Sequence, residues 1–224
     1  MNKFIILMFL LLPSLAFSAG VFGEDVFTQF DENFNMYYVD SAQMRYSGTL
    51  KYYGDNGKLE EEYTVKNGVI EGSARFYSES GKLEGAAIYK NGVKDGLSWV
   101  YYESGRVSSE GTFKNGVLEG PVRLYYENGK LSAEYTNKNG ASEGPARFYY
   151  ESGKLQIEAF YKNDLQEGNM TVYYENGHIW GKLLYKNGQA VSGTCADGRS
   201  FTSAELRDWE NGHDVACDID LRLR

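Results

Sequence analysis

Pro121-Val122-Arg123-Leu124-Tyr125-Tyr126, then Glu127-Asn128-Gly129-Lys130, then Leu131-Ser132-Ala133-Glu134-Tyr135 make two alternating runs around a turn tetrapeptide. Alternation gives a strand one apolar and one polar face. Asn-Gly between two such runs signals a hairpin, because a type I′ turn needs φ > 0 at both central residues. A second Asn-Gly, Asn139-Gly140, reverses the chain again. An even loop centred on Asn128-Gly129 pairs Val122 with Tyr135, Leu124 with Ala133 and Tyr126 with Leu131. It leaves Arg123 with Glu134 and Tyr125 with Ser132 on the opposite face. A three-residue loop would set Tyr126 against Lys130 and mix the faces, so the even loop is expected. The stretch that follows agrees, with Phe148 to Ile157, Ala146 to Ala159 and Tyr150 to Leu155 on one side and Arg147 to Glu158 on the other.

The pattern recurs every 24 residues from Gly48 to Gly188. Glycines at 57, 81, 105, 129, 153 and 177 keep that spacing, as do the Lys-Asn pairs that begin at 66, 90, 114, 138, 162 and 186. Five of the six Lys-Asn pairs are followed by Gly; the exception, Asp164, tolerates a left-handed backbone. The expected fold is therefore all-β: an elongated, twisted antiparallel β-meander of six 24-residue hairpin repeats over 48–191. No helical segment within the repeats covers the apolar face, so the sheet must coil around that face or present it to a partner.

The flanks read differently. Lys3, an apolar run from Phe4 to Leu12 and the small residues around Ala19 predict a signal peptide over 1–19. Residues 20–47 are expected to begin the sheet irregularly. In the tail, 192–224, Thr202-Ser203-Ala204-Glu205 has capping-box spacing, and Leu206 and Trp209 share one face of a short helix. Cys195 and Cys217 bracket that helix; in an exported chain an even count of two favours one disulfide. Export to a periplasm or to the outside is expected, without stable membrane insertion once the leader is removed.

The 224 residues are 42% hydrophobic and 24% charged, which argues against disorder, collagen and coiled coil. A net charge of −8, with no basic run, argues against nucleic acid as a partner. No metal or cofactor motif is present, and enzyme activity is not expected. His178 sits in a turn and His213 follows the tail helix, neither with a motif partner to orient it.

The string Tyr125-Tyr126-Glu127-Asn128-Gly129-Lys130-Leu131, followed by Lys138-Asn139-Gly140 and Glu143-Gly144, resembles the MORN repeat in its bacterial variant, a group that includes the YwqK-type antitoxins. The resemblance implies a β-hairpin array serving as a scaffold, a protein-binding module or a lipid-binding surface. An export signal fits poorly with neutralising a cytoplasmic toxin, so the antitoxin role stands as a further alternative.

The candidate binding residues are the tyrosine column Tyr53, Tyr77, Tyr101, Tyr125, Tyr149 and Tyr173 with Arg75, Arg123 and Arg147 beside it. Tyr and Arg are enriched at binding hot spots. Cross-strand Tyr contacts and Arg–Glu pairs would also stabilise a sheet without any ligand. The function expected is an exported, non-enzymatic protein-binding or scaffold module; binding of cell-envelope glycan by stacking on the tyrosines is the alternative.

Overall fold

The computed structural model describes residues 21–22, 26–30, 36–39, 42–213, 215 and 217. The signal peptide read over 1–19 lies outside them. The chain divides into two compact units, one holding Leu15–Gly129 and the other Lys130–Arg224. Each is an antiparallel meander whose hairpins are the 24-residue repeats.

The first unit contains β1 (Val21–Phe22), β2 (Phe27–Phe30), β3 (Met36–Val39), β4 (Gly48–Tyr53), β5 (Leu59–Lys66), β6 (Val69–Tyr77), β7 (Leu83–Lys90), β8 (Val93–Tyr101), β9 (Val107–Lys114) and β10 (Val117–Tyr125). Its sheet runs β1-β4-β5-β6-β7-β8-β9-β10, while β2 and β3 form a separate two-stranded sheet. The repeats sort their side chains as the alternation requires. Leu50 faces Tyr63 and Ala74 faces Ala87, and all four are buried. The stretch before β4 holds the first Lys-Asn-Gly turn: Tyr38 N–H donates to the Gly68 carbonyl at 2.8 Å and Gly68 N–H to the Tyr46 carbonyl at 2.7 Å.

The second unit contains β11 (Leu131–Lys138), β12 (Ala141–Ser142), β13 (Gly144–Tyr149), β14 (Leu155–Lys162), β15 (Leu165–Gln166), β16 (Gly168–Tyr173), β17 (Ile179–Lys186), β18 (Gln189–Cys195) and the helix α1 (Ser203–Glu210). The expected pairs Phe148–Ile157, Ala146–Ala159 and Arg147–Glu158 are all formed. Two strands are interrupted, at Glu143 and Glu167, whose N–H groups reach the carbonyls of Thr136 and Phe160 instead of continuing the ladder.

The turn at Asn128-Gly129 differs from the expectation. Gly129 has φ +85 but Asn128 is not left-handed, and Gly129 N–H closes on the Tyr126 carbonyl at 2.8 Å. In the next copy, Gly153 N–H bonds the Tyr150 carbonyl and Tyr150 N–H the Lys154 carbonyl. This is a type I turn closed by a left-handed glycine and a bulge, not type I′. The bulge pairs Tyr149, not Tyr150, with Leu155 and restores the expected register one residue later, at Phe148–Ile157. A three-residue loop thus keeps the faces sorted because the bulge absorbs the odd residue. The even type I′ turn is the one at Lys-Asn: Asn139 and Gly140 have φ 51 and 84, and Asp164 takes φ 65 in the copy without glycine.

The tail closes the outer edge of β18. Phe201 N–H donates to the Gly193 carbonyl at 2.8 Å, Cys195 N–H to the Arg199 carbonyl, and Ala190 N–H to Glu210 Oε1 at 2.7 Å. The Phe201 ring occupies the space that a Cβ at Gly193 would need. Thr202 and Glu205 form the expected capping box, and Arg199 holds the same carboxylate at 2.9 Å. The Thr202 backbone bond, helped by Arg199, holds the Glu205 carboxyl below its usual range. Trp209 stacks on Trp180 with centroids 5.0 Å apart and donates its Nε1–H to the Tyr185 hydroxyl. Cys195 and Cys217 are joined by a disulfide.

Candidate functional site

Each tyrosine of the column ends the first strand of its hairpin, where the bulge sets it directly opposite a leucine-type residue. The pairs are Tyr53–Leu59, Tyr77–Leu83 and Tyr101–Val107 in the first unit, and Tyr149–Leu155 and Tyr173–Ile179 in the second. Directly opposed residues share a face. The leucine column thus lies beside these tyrosines, which corrects the assignment of Leu131 and its equivalents to the face of Leu124 and Tyr126. On the other face the bulge residue takes that place, as the contact between Tyr150 and Gln156 shows.

In the first unit the Tyr125 hydroxyl donates to Glu110 Oε1 at 2.8 Å, and the Arg123 guanidinium reaches the same oxygen at 3.2 Å. Arg75 bonds Glu62 at 2.7 Å, and Lys51 stands 3.7 Å from that carboxylate. Tyr101 lacks such a partner in sequence, since Ala86 occupies the position that Glu110 holds for Tyr125. Tyr53 is 36% exposed, whereas Tyr77, Tyr101 and Tyr125 are half-buried.

The second unit repeats the arrangement. Tyr149 donates to Glu134 at 2.7 Å and Tyr173 to Glu158 at 3.0 Å. Arg147 lies between the two carboxylates, 3.1 Å from Glu158 and 3.6 Å from Glu134. Burial first, then the Glu134 bond, push the Tyr149 hydroxyl up to about 12. Tyr125 and Tyr173 are raised for the same reasons. These tyrosines therefore stay neutral donors, and their rings are pinned by a carboxylate at one end and a leucine at the side. Each arginine keeps about half its side chain in solvent, 50% for Arg123 and 51% for Arg147.

The Tyr–Glu bonds escaped the sequence reading, although the constant spacing of Glu110, Glu134 and Glu158 ahead of Tyr125, Tyr149 and Tyr173 carried the signal. Also missed was an acidic column at the Lys-Asn turns. Glu71, Asp95, Glu143 and Glu167 accept the backbone N–H of Asn91, Asn115, Asn163 and Asn187, each in the following copy.

Among the described residues no group of His, Cys, Asp and Glu is arranged to hold a metal ion, and no helix is long and apolar enough to cross a membrane. His213 is exposed, with Nδ1 3.9 Å from Asp208.

The family profile described as MORN repeat variant matches residues 46–67, 70–91, 94–115, 118–139, 142–163 and 166–187. No curated protein matches the chain. Among solved structures, a GtfA/B complex is similar at a TM-score of 0.30 and 14% identity, over 52% of this chain and 21% of the other. A mutant of S. aureus TarM in complex with fondaparinux, alpha-GlcNAc-glycerol and UDP is similar at a TM-score of 0.19 and 9% identity, over 62% and 21%. This chain spans about a fifth of the length of either, and at these scores the likeness bears on neither fold nor function.

Proposed function

Because the chain belongs to the MORN repeat variant family, a class of repeat-based binding modules, we propose that it is an exported, non-enzymatic protein whose Tyr, Leu and Arg face binds another protein. The carrying observation is the shared use of Glu110, Glu134 and Glu158 by a tyrosine and an arginine, as at Tyr125–Glu110–Arg123. Side chains held in this way lose little further entropy on docking, while the half-exposed Arg123 guanidinium, paired with Glu110 alone among the described carboxylates, can take a second anionic partner. Repetition adds to this, since neighbouring copies on one sheet face lie ~10 Å apart and weak identical contacts reinforce one another along a partner.

Export is supported by the leader-like first residues and by the Cys195–Cys217 disulfide, which is compatible with an oxidising compartment. Glycan stacking gains less support, because the hydroxyls of Tyr125, Tyr149 and Tyr173 are taken by carboxylates and most of the rings in the column are half-buried.

The test is a pull-down from envelope extract with the mature chain and with its Arg123→Ala/Arg147→Ala/Tyr149→Ser variant, read by mass spectrometry. A protein enriched by the wild type and lost at least tenfold by the equally folded variant supports the reading. Equal capture by both, or retention only on insoluble cell wall, overturns it.

A further inference from the structure

Lys94 stands near the start of β8, directly opposite Tyr89 on β7. In the other copies its register position holds Ile70, Leu118, Ser142, Gln166 and Ala190, so this copy alone places a cation there. The Lys94 Nζ lies 5.7 Å from the Phe76 ring centroid and 5.4 Å from that of Phe113. Both distances are within cation–π range. Among the described residues no ion pair includes Lys94. Glu61, the acid opposite Phe76, instead accepts the Tyr63 hydroxyl at 2.7 Å. Burial holds the Lys94 amine below the usual lysine range, while the Glu61 carboxylate acts on the Tyr89 hydroxyl without forming an ion pair with Lys94.

We propose that Lys94, Tyr89, Phe76 and Phe113 form a binding site for a small monocarboxylate with an aromatic or alkyl body. The single ammonium sets the ligand charge at one, since a dianion would need a second cation to hold it. The rings set the apolar body. An extended peptide fits poorly, because β7, β8 and β9 are already paired on both sides, so its amides would be buried on this face without partners. A small carboxylate carries no such amides, and it would pair with the Lys94 ammonium in a partly desolvated setting, where a charge pair is stronger than in water.

The site is tested by NMR titration of the full chain with 4-phenylbutyrate, 4-phenylbutanol and 4-phenylbutylamine. The carboxylate is expected to bind at least tenfold more tightly than the alcohol, with shifts centred on Phe76, Tyr89 and Phe113, and the amine not to bind. Lys94→Met should weaken the carboxylate at least tenfold, Lys94→Gln likewise, and Lys94→Arg less than threefold. Circular dichroism melts should place Lys94→Met at or above the wild-type midpoint, because a half-buried charge is replaced by an apolar chain against the same rings. Absence of saturable 4-phenylbutyrate binding, or equal binding of carboxylate and alcohol, overturns the site. So does undiminished binding by folded Lys94→Met or Lys94→Gln.

Discussion

The two ends of each hairpin use nearly the same letters and solve the reversal differently. At Asn67-Gly68 both residues are left-handed, with φ 50 and 80, and such turns are stitched to the preceding stretch of the chain by backbone: Gly68 N–H to the Tyr46 carbonyl, Gly92 N–H to the Ile70 carbonyl, Gly116 N–H to the Lys94 carbonyl. Carboxylates reinforce it, as in the bond from Asn91 N–H to Glu71. At the other end only the glycine is left-handed, as at Gly81 and Gly105. There the copies are joined by long exposed cations: Lys58 Nζ to the Glu79 carbonyl, Lys82 to the Glu103 carboxylate, Arg106 to the Glu127 carbonyl. The Lys-Asn end is therefore specified by backbone geometry, and the bulged end by one glycine with forgiving surroundings.

The comparison is strained hardest at Gly96, where β8 bulges four residues after its Asn-Gly pair. Its φ is +133, and a Cβ there would lie 2.9 Å from the Cβ of Ile88. Gly96→Ala combines backbone strain with a clash against a side chain of little freedom, and should cost about 3 kcal/mol. Gly120→Ala, at φ +89 with nothing within 4 Å, carries strain alone and should cost about 1 kcal/mol. Urea midpoints of the full chain measure both. Equal costs would show that sterics at Ile88 do not set the bulge.

A sharper contrast sits within one copy. Asn67 occupies a left-handed position, whereas Asn56 only lends its Oδ1 to the Lys58 N–H at 2.8 Å. Asn67→Ala should cost about 1 kcal/mol, as an alanine at positive φ does. Asn56→Ala removes one exposed hydrogen bond and should cost about 0.5 kcal/mol. Thermal melts that reversed the order would assign the type I′ turn to the wrong end.

The repeat, its face sorting apart from the Leu131 column, and the capped tail helix were legible because all rest on periodic residue types. The turn type at Asn128-Gly129 was misread from one copy, although other copies hold the correction: Ser80, Ser104 and Ser152 replace the asparagine, and serine rarely accepts φ > 0. At Lys-Asn the asparagine never varies. From that constancy the two ends could have been told apart. The Tyr–Glu bonds and the contact of Lys94 with Phe76 and Phe113 were less visible, because they join residues from different strands through side chains whose reach no register alone supplies.

The smallest effects should still separate the two ends. Glu71 accepts a backbone N–H that has a fixed place in the turn of the next copy, so its chain is ordered by one short charge-assisted bond of 2.8 Å. Glu71→Ala should cost about 0.5 to 1 kcal/mol. Lys82 meets Glu103 at 3.2 Å with both side chains largely in water, 55% and 81% exposed. Water screens such a pair, and holding two long side chains together offsets what remains, so Lys82→Ala should change stability by less than about 0.3 kcal/mol. Raising the salt concentration should leave the Glu71→Ala difference mostly in place and erase the small one at Lys82. If the lysine variant lost as much stability as the glutamate variant, the bulged ends would be holding the copies together as firmly as the Lys-Asn ends, and the division of labour between them would fail.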